Sequence, residues 1–473
     1  MQGQKPYWDI LKEKSVLIVL SLFSVMIVSL CFIDTINYDE FFSVQWCRLG
    51  WKELMQCLID DVHPPLYYLL LKPIFNLTGE SMFCTRLLSA IAGIIMLWAG
   101  GLFIDRHFGK KASFFFVFFL YLNPFMIQKT TEIRMYMLAS VFTIMSGIMS
   151  YLVLKDSGRK NWLFFTVFSL LAAYTHYYAL LTMVFLYAGL LIYFVFTHNS
   201  KNIITWFFYS VVTVLGYLPW LPIAWRQVTA VNRVYWISMP SSRLAPLREL
   251  FYSAVPYTEY IYPGIILFLM LTSIVLFVRK RTIDGYWALM CCSALWGIII
   301  FSVWYASHVR PILVSRYLIM PVCLCVLGSS SIVRHLNRYI AIAACLFCTL
   351  IGGPRYQSAF LEQFDRITTK TVVFINKNQT QSDTIIYVND GYGYIANCVE
   401  YYFPNMEHMG IEESLIFDLD NIIADTNGSI WFFDNNQYML QSQTDTIDYT
   451  VTDFGTFGFG ATEFEIYQIQ KVP

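Results

Sequence analysis

Along the first 353 residues, apolar stretches long enough to cross a bilayer alternate with short polar connections. "SVLIVLSLFSVMIVSLCFI", from Ser15, and "YPGIILFLMLTSIVLFV", from Tyr262, contain no charged residue. An apolar run of about 18 residues or more reads as a membrane-spanning helix. The pattern predicts spans at 15–33, 84–104, 112–126, 134–154, 162–175, 177–197, 203–222, 262–279, 286–305, 314–331 and 338–353, about eleven helices in all. From Pro354 the apolar runs shorten to strand length: "TVVFI", "TIIYV", "SLIFDL", "SIWFF" and "FEIYQI", punctuated by Asn, Asp, Gly and Thr. The expected fold is a polytopic α-helical membrane module over 1–353, followed by a soluble α/β domain over 354–473.

Composition agrees. The chain is 57% hydrophobic and 14% charged, against roughly 25% charged in soluble domains. The N-terminal apolar run is long and no small-residue cleavage site follows it, so it reads as a retained first span. Charge orients the spans. The connections "DRHFGKK" (105–111), "KDSGRKN" (155–161), "HNSKN" (198–202), "RKRTID" (279–284) and "RHLNR" (334–338) are basic and fall on one side, as cytoplasmic loops do. The first loop (34–83), residues 123–133, the connection 223–261 and the C-terminal domain then lie on the other face. Residues 354–473 hold 17 Asp and Glu against 5 Lys and Arg, a net −12 that the helical part balances. Most of the 11 cysteines sit in apolar runs as small hydrophobes. Cys47 and Cys57 share the first loop, where a disulfide and two free thiols are both open readings. No P-loop, GxGxxG or HExxH occurs, which argues against an ATP-driven pump and a nucleotide-sugar enzyme, and nothing points to nucleic acid.

Candidate chemistry gathers at the non-cytoplasmic helix ends. Asp39 and Glu40 follow the first span directly. Either they cap a helix begun at Asn37 or Asp39, or they do chemistry, since acids near a membrane are costly unless solvated or used. In "DDVHPPLYYLLLKPIF", His63 precedes two prolines suited to a helix's first turn, and Tyr67, Tyr68 and the leucines make an amphipathic helix of the interfacial kind. Glu132 and Arg134 stand in "TTEIRMYML", either as a self-satisfied pair or with Arg134 on a phosphate. Arg86 opens the second span, either snorkelling or facing the acidic loop. His176 lies among tyrosines in "AAYTHYYAL", a setting that more often marks a structural histidine. Arg310 and Arg316 occupy an outer loop where arginine is normally scarce, and an anionic lipid phosphate is their natural partner. Together these residues suit a substrate with a lipid tail, a phosphate and a group to be transferred, with an acid as general base.

"YDE", "DVHPPLYYLLLK", "RLLSAIAG", "EIRMY", "YTHYYAL" and "SRYLIMP", in this order, resemble the GT-C glycosyltransferases of the family-39, protein O-mannosyltransferase and aminoarabinose-transferase type, over about residues 1–330. The resemblance implies a polyprenyl-phosphate sugar donor, inverting transfer to a lipid, glycan or protein acceptor, and an active site on the periplasmic or extracellular face of a bacterial inner membrane. It implies Asp39 as the base with Glu40 in support, and Arg86, Arg134 and Arg316 as candidates for the phosphate. His63, Tyr67, Glu132, His176 and Arg310 complete the expected binding set. Members of this branch are generally metal-independent; oligosaccharyltransferase relatives use a divalent cation, which nothing in this sequence indicates. The competing reading is a flippase for a lipid-linked sugar, which would place ionisable groups near mid-membrane and show paired halves. A non-catalytic assembly subunit is the third reading, and it would not need Asp39.

Overall fold

The computed structural model describes residues 7–33, 35–121, 124–230, 258–280, 282–308, 312–337, seven positions between 339 and 361, 366–380, 382–389, 393–411, 428–435, 449–460 and 462–471. Arg310, "SLIFDL" and most of the span expected at 338–353 lie outside them. The backbone divides into two compact units. One holds residues 1–33 and 45–360, the other residues 34–44 and 361–473.

The first unit is helical. Its elements are α1 (Tyr7–Ser29), the end of α2 (Tyr38–Arg48), α3 (Trp51–Asp60), α4 (Leu66–Thr78), α5 (Met82–Phe108), α6 (Lys110–Tyr121), α7 (Pro124–Thr130), α8 (Tyr136–Lys155), α9 (Arg159–Ala173), α10 (Tyr177–Phe196), α11 (Ser200–Tyr217), α12 (Leu221–Ala230), α13 (Thr258–Lys280), α14 (Ile283–His308) and α15 (Ile319–Val333). Six helical stretches among the described residues are long and apolar enough to cross a membrane: Lys14–Phe32, Met82–Phe108, Tyr136–Lys155, Tyr177–Phe196, Ile283–Ala306 and Ser315–Val333. A seventh candidate, Ser200–Tyr217 with Leu221–Thr229, is bent by 68° where a continuous span was expected at 203–222. Pro219 lies in that break and Pro222 just after it, in the first turn of α12, and proline interrupts the helical ladder. The spans expected at 112–126 and 162–175 are helices of 12 and 15 residues, short of the ~20 that a perpendicular crossing takes.

Helix α15 lies at the centre of this unit, with every residue from Ile319 to Val333 buried. Small residues let its neighbours approach, as they do between helices in lipid. A Cβ added at Gly328 would stand 2.4 Å from the Cys291 side chain, and one at Gly147 would stand 2.5 Å from Leu324. Cys47 and Cys57 are free thiols.

The second unit carries a five-stranded sheet ordered β2-β1-β3-β5-β4. Its strands are β1 (Thr384–Val388), β2 (Glu407–Ile411), β3 (Ile430–Asp434), β4 (Tyr449–Phe459) and β5 (Thr462–Lys471). β2, β1 and β3 run parallel, and β5 and β4 add antiparallel. β1 and β3 are buried at every position, which explains why they read as unbroken apolar runs. Ile385, Tyr387, Trp431, Phe433 and Phe464 pack with Ile375, Ile395 and Val399 of two helices, α16 (Arg366–Asn378) and α17 (Tyr394–Tyr402). "TVVFI" corrects an expectation: it lies within α16 and is not a strand. Thr371, Val372 and Ile375 recur at helical spacing, a three-to-four period that five residues do not distinguish from a buried strand.

Candidate functional site

The helical unit brings several of the expected residues together around the turn before α4, the turn before α8 and the start of α10. Asp60 ends α3, and two prolines then limit the backbone until α4 starts at Leu66. The amide of Leu66 donates to the carbonyl of Tyr174 at 3.0 Å, tying this turn to the end of α9. Within the turn, Nδ1 of buried His63 lies 2.9 Å from Oδ2 of Asp61. Burial opposes a charge on Asp61, but His63 and Arg134 outweigh it, so the carboxyl stays below its usual range. Asp61 completes a pair with His63, and its signal in the sequence was the one-residue spacing.

His176 caps α10: its Nδ1 accepts the amide of Tyr178 at 3.0 Å. A nitrogen that accepts carries no proton, so the neutral ring is protonated at Nε2. Burial pushes the imidazole pKa well below its ordinary value, and the charges of His63, Arg134 and Arg316 push it further. Nε2 is buried without a hydrogen-bond partner among the described residues, as is the hydroxyl of Tyr136. The two rings lie 5.9 Å apart. The His63 ring is 5.8 Å from that of His176, and Tyr317 lies 5.0 Å from His176 and 6.3 Å from His63. The Arg316 guanidinium stands 5.8 Å over the Tyr317 ring. Buried donors left unpaired by protein in this way are suited to ligand oxygens.

Arg134 is 6% exposed and donates from Nη1 to the Tyr68 hydroxyl at 2.9 Å. Glu132 pairs with Lys129 at 2.6 Å. The Ser89 hydroxyl donates to the Glu132 carbonyl at 2.7 Å and lies 3.0 Å from the Tyr67 hydroxyl. Tyr67 thus braces the turn that presents Arg134. Arg86 donates to the carbonyls of Ile33 (3.1 Å) and Thr131 (3.1 Å), so two of its N–H groups hold backbone. The sequence singled out His63, His176, Arg134 and Arg316, and these share one polar neighbourhood. It placed Tyr136 beside Glu132 and Arg134 without a role and assigned none to Tyr317, because aromatic residues are frequent throughout this chain.

Asp39 and Glu40 belong to the second unit. Glu40 is 2% exposed and Asp39 is half-buried. Asn37 and Glu40 form a reciprocal cap: the Glu40 amide donates to Asn37 Oδ1 at 3.0 Å, and the Asn37 amide donates to Glu40 Oε2 at 2.9 Å. The capping reading of this acidic pair therefore holds for Glu40, with Asn37 as the cap. Among the described residues, no three His, Cys, Asp or Glu side chains are grouped to hold a metal ion.

Residues 62–225, which span the His63 turn, the Arg134 turn and His176, match the dolichyl-phosphate-mannose-protein mannosyltransferase family. The chain resembles the GT-C glycosyltransferases. A likeness of fold extends over nearly the whole chain. ArnT from Cupriavidus metallidurans bound to undecaprenyl phosphate superposes with a TM-score of 0.55 at 13% identity, covering 97% of this chain and 98% of that one. The same enzyme in the apo state gives 0.57 at 12% identity, covering 96% and 98%. No curated protein sequence matches this chain. The likeness to ArnT thus covers nearly the whole chain, while the family match lies within the helical unit.

Proposed function

We propose that this protein is an integral-membrane, inverting glycosyltransferase that takes a sugar from a polyprenyl-phosphate donor and passes it to a lipid, glycan or protein acceptor. The observation that carries the reading is the cluster of Arg134, Arg316, neutral His176 and the Asp61–His63 pair, lying within or beside the family-matched segment. Two guanidiniums and unpaired neutral donors suit a phosphate that gains charge as it leaves. In the proposed reaction the acceptor oxygen attacks the anomeric carbon and Asp39 takes its proton. The bond from the sugar to the phosphate oxygen breaks, and its electron pair departs with polyprenyl phosphate. Arg134 and Arg316 offset that charge. Arg86 holds the 131–134 turn through Thr131, a positioning role, and no metal takes part in the scheme.

The proposed membrane assignment counts the short α6 and α9 among eleven crossings of a bacterial inner membrane, with the transfer site and the C-terminal domain on the periplasmic or extracellular face. Cysteine accessibility at 105–111 and 334–338 against 61–66 tests the orientation; labelling of the last from the cytoplasm would refute it. For the donor, binding of undecaprenyl phosphate to the purified protein in nanodiscs is the direct test. Binding competed by a polyprenyl-phosphate sugar and not by a nucleotide sugar supports the reading. Absence of any binding would end it.

A further inference from the structure

We propose that the C-terminal unit is a positioning device for the catalytic carboxylate, with Tyr402 as its anchor. The inference rests on the assignment of Asp39 as the base and adds a role for the C-terminal unit. After Ile33 the chain leaves the helical unit, packs residues 34–44 with residues 361–473, and returns at Gln45. The segment that carries Asp39 is therefore held by the C-terminal unit.

The anchor is a single hydrogen bond with a rigid mount. The Tyr402 hydroxyl accepts the amide of Ile36 at 3.0 Å. Tyr402 ends α17, whose Ile395, Cys398 and Val399 are set in the sheet core. Its ring stacks on Phe459 of β4 at 5.8 Å and 14°, and meets Tyr401 edge-on at 4.9 Å. Burial, with the Glu40 charge adding to it, keeps the Tyr402 hydroxyl protonated. Ile36 is 5% exposed, so without that hydroxyl its amide would be buried and unpaired, which a fold resists.

What Tyr402 holds is the lead-in to the turn bearing Asp39. Ile36 precedes the cap Asn37, and Asn37 and Glu40 close the reciprocal cap around the first turn of α2. Ile36 and Phe41, at the two positions of a hydrophobic staple, are both buried, as is Val44 one turn on. Tyr402, Ile36, the Asn37–Glu40 cap and Phe41 thus fix the backbone on both sides of Asp39. A general base works only when held within about 0.5 Å of its productive position, and a free connection between two helices does not supply that.

The test is made on the full-length protein with Tyr402→Phe, Tyr467→Phe and Asp39→Asn. Tyr467→Phe removes another hydroxyl of the same unit, one that donates to Glu465. The expected result for Tyr402→Phe is a kcat at least tenfold lower, with the dissociation constant for undecaprenyl phosphate within twofold of wild type. Tyr467→Phe keeps wild-type kcat, and Asp39→Asn is inactive. Hydrogen exchange reads the same contact: amides of 36–44 exchange as slowly as those of β1 in the wild type, and faster in Tyr402→Phe. An active Asp39→Asn protein would overturn the base and this inference together. A dead Asp39→Asn beside a Tyr402→Phe protein of wild-type kcat would overturn the inference alone. So would rapid exchange of 36–44 in the wild type, or an equal loss in Tyr467→Phe, which would mark a general effect on the domain.

Discussion

Replacing Arg134 by alanine removes the guanidinium assigned to the donor phosphate. Arg134 is 6% exposed and donates to the Tyr68 hydroxyl. A hydrogen bond to a charged group contributes about 1.5–3 kcal/mol, and removing one partner of a buried charge pair costs about 2–5 kcal/mol. Arg316 and the unpaired His176 and Tyr136 groups remain, so the loss falls in the lower part of that range, about 2–3 kcal/mol. At 1.4 kcal/mol per tenfold, undecaprenyl phosphate should bind ~30–150-fold more weakly. The hydrogen bond from Arg134 to the Tyr68 hydroxyl is lost at the same time, an expected stability cost of about 1 kcal/mol. Titration of undecaprenyl phosphate into protein in nanodiscs, beside a thermal melt, separates the two effects. Arg134→Lys should recover part of the affinity, since an ammonium keeps the charge but not the fork. A folded Arg134→Ala protein that binds within twofold of wild type would show that this arginine does not meet the phosphate.

Other substitutions probe the same neighbourhood. Asparagine at 176 keeps a side-chain acceptor for the Tyr178 amide, whereas alanine does not, so His176→Ala should cost about 1 kcal/mol in stability and His176→Asn much less, both with reduced turnover; equal melts would argue against the cap. The Asp61 carboxyl is held below its usual range, so its stabilising contribution is full above the unfolded value near pH 4 and is lost as pH falls through the lower folded value. Thermal melts of Asp61→Asn should therefore match wild type more closely at acid pH than at pH 7, and a constant gap would contradict this. Gly328→Ala would press a methyl against Cys291 and should destabilise by about 1–3 kcal/mol; an unchanged melt would mean that α14 and α15 separate easily.

The long apolar helices and two core strands were legible because burial on all sides writes an uninterrupted apolar run. The strands β2 and β4 were not. β2 reads "EHMGI" and is mostly exposed, while β4 carries an irregularity between Asp453 and Thr456 beside Gly455, so neither keeps a clean alternation. The short α6 and α9 are apolar enough to read as spans although the structure stops them early. Arg134, Arg316, His63 and His176 stood out in the sequence because charge is sparse in this chain. Tyr317 had no such contrast, and the pairing of residue 36 with residue 402 crosses more than three hundred positions with no local signal. Glu40 was read both as a cap and as chemistry; its buried, reciprocal bond with Asn37 supports the cap.

The most direct measurement is release of free polyprenyl phosphate by the purified protein in nanodiscs, supplied with a panel of polyprenyl-phosphate sugars and candidate acceptors, with Asp39→Asn alongside. The account predicts release from one donor by wild type and none by a folded Asp39→Asn protein. No release from any donor, with a labelled lipid-linked sugar still crossing the bilayer, would contradict it and identify a flippase.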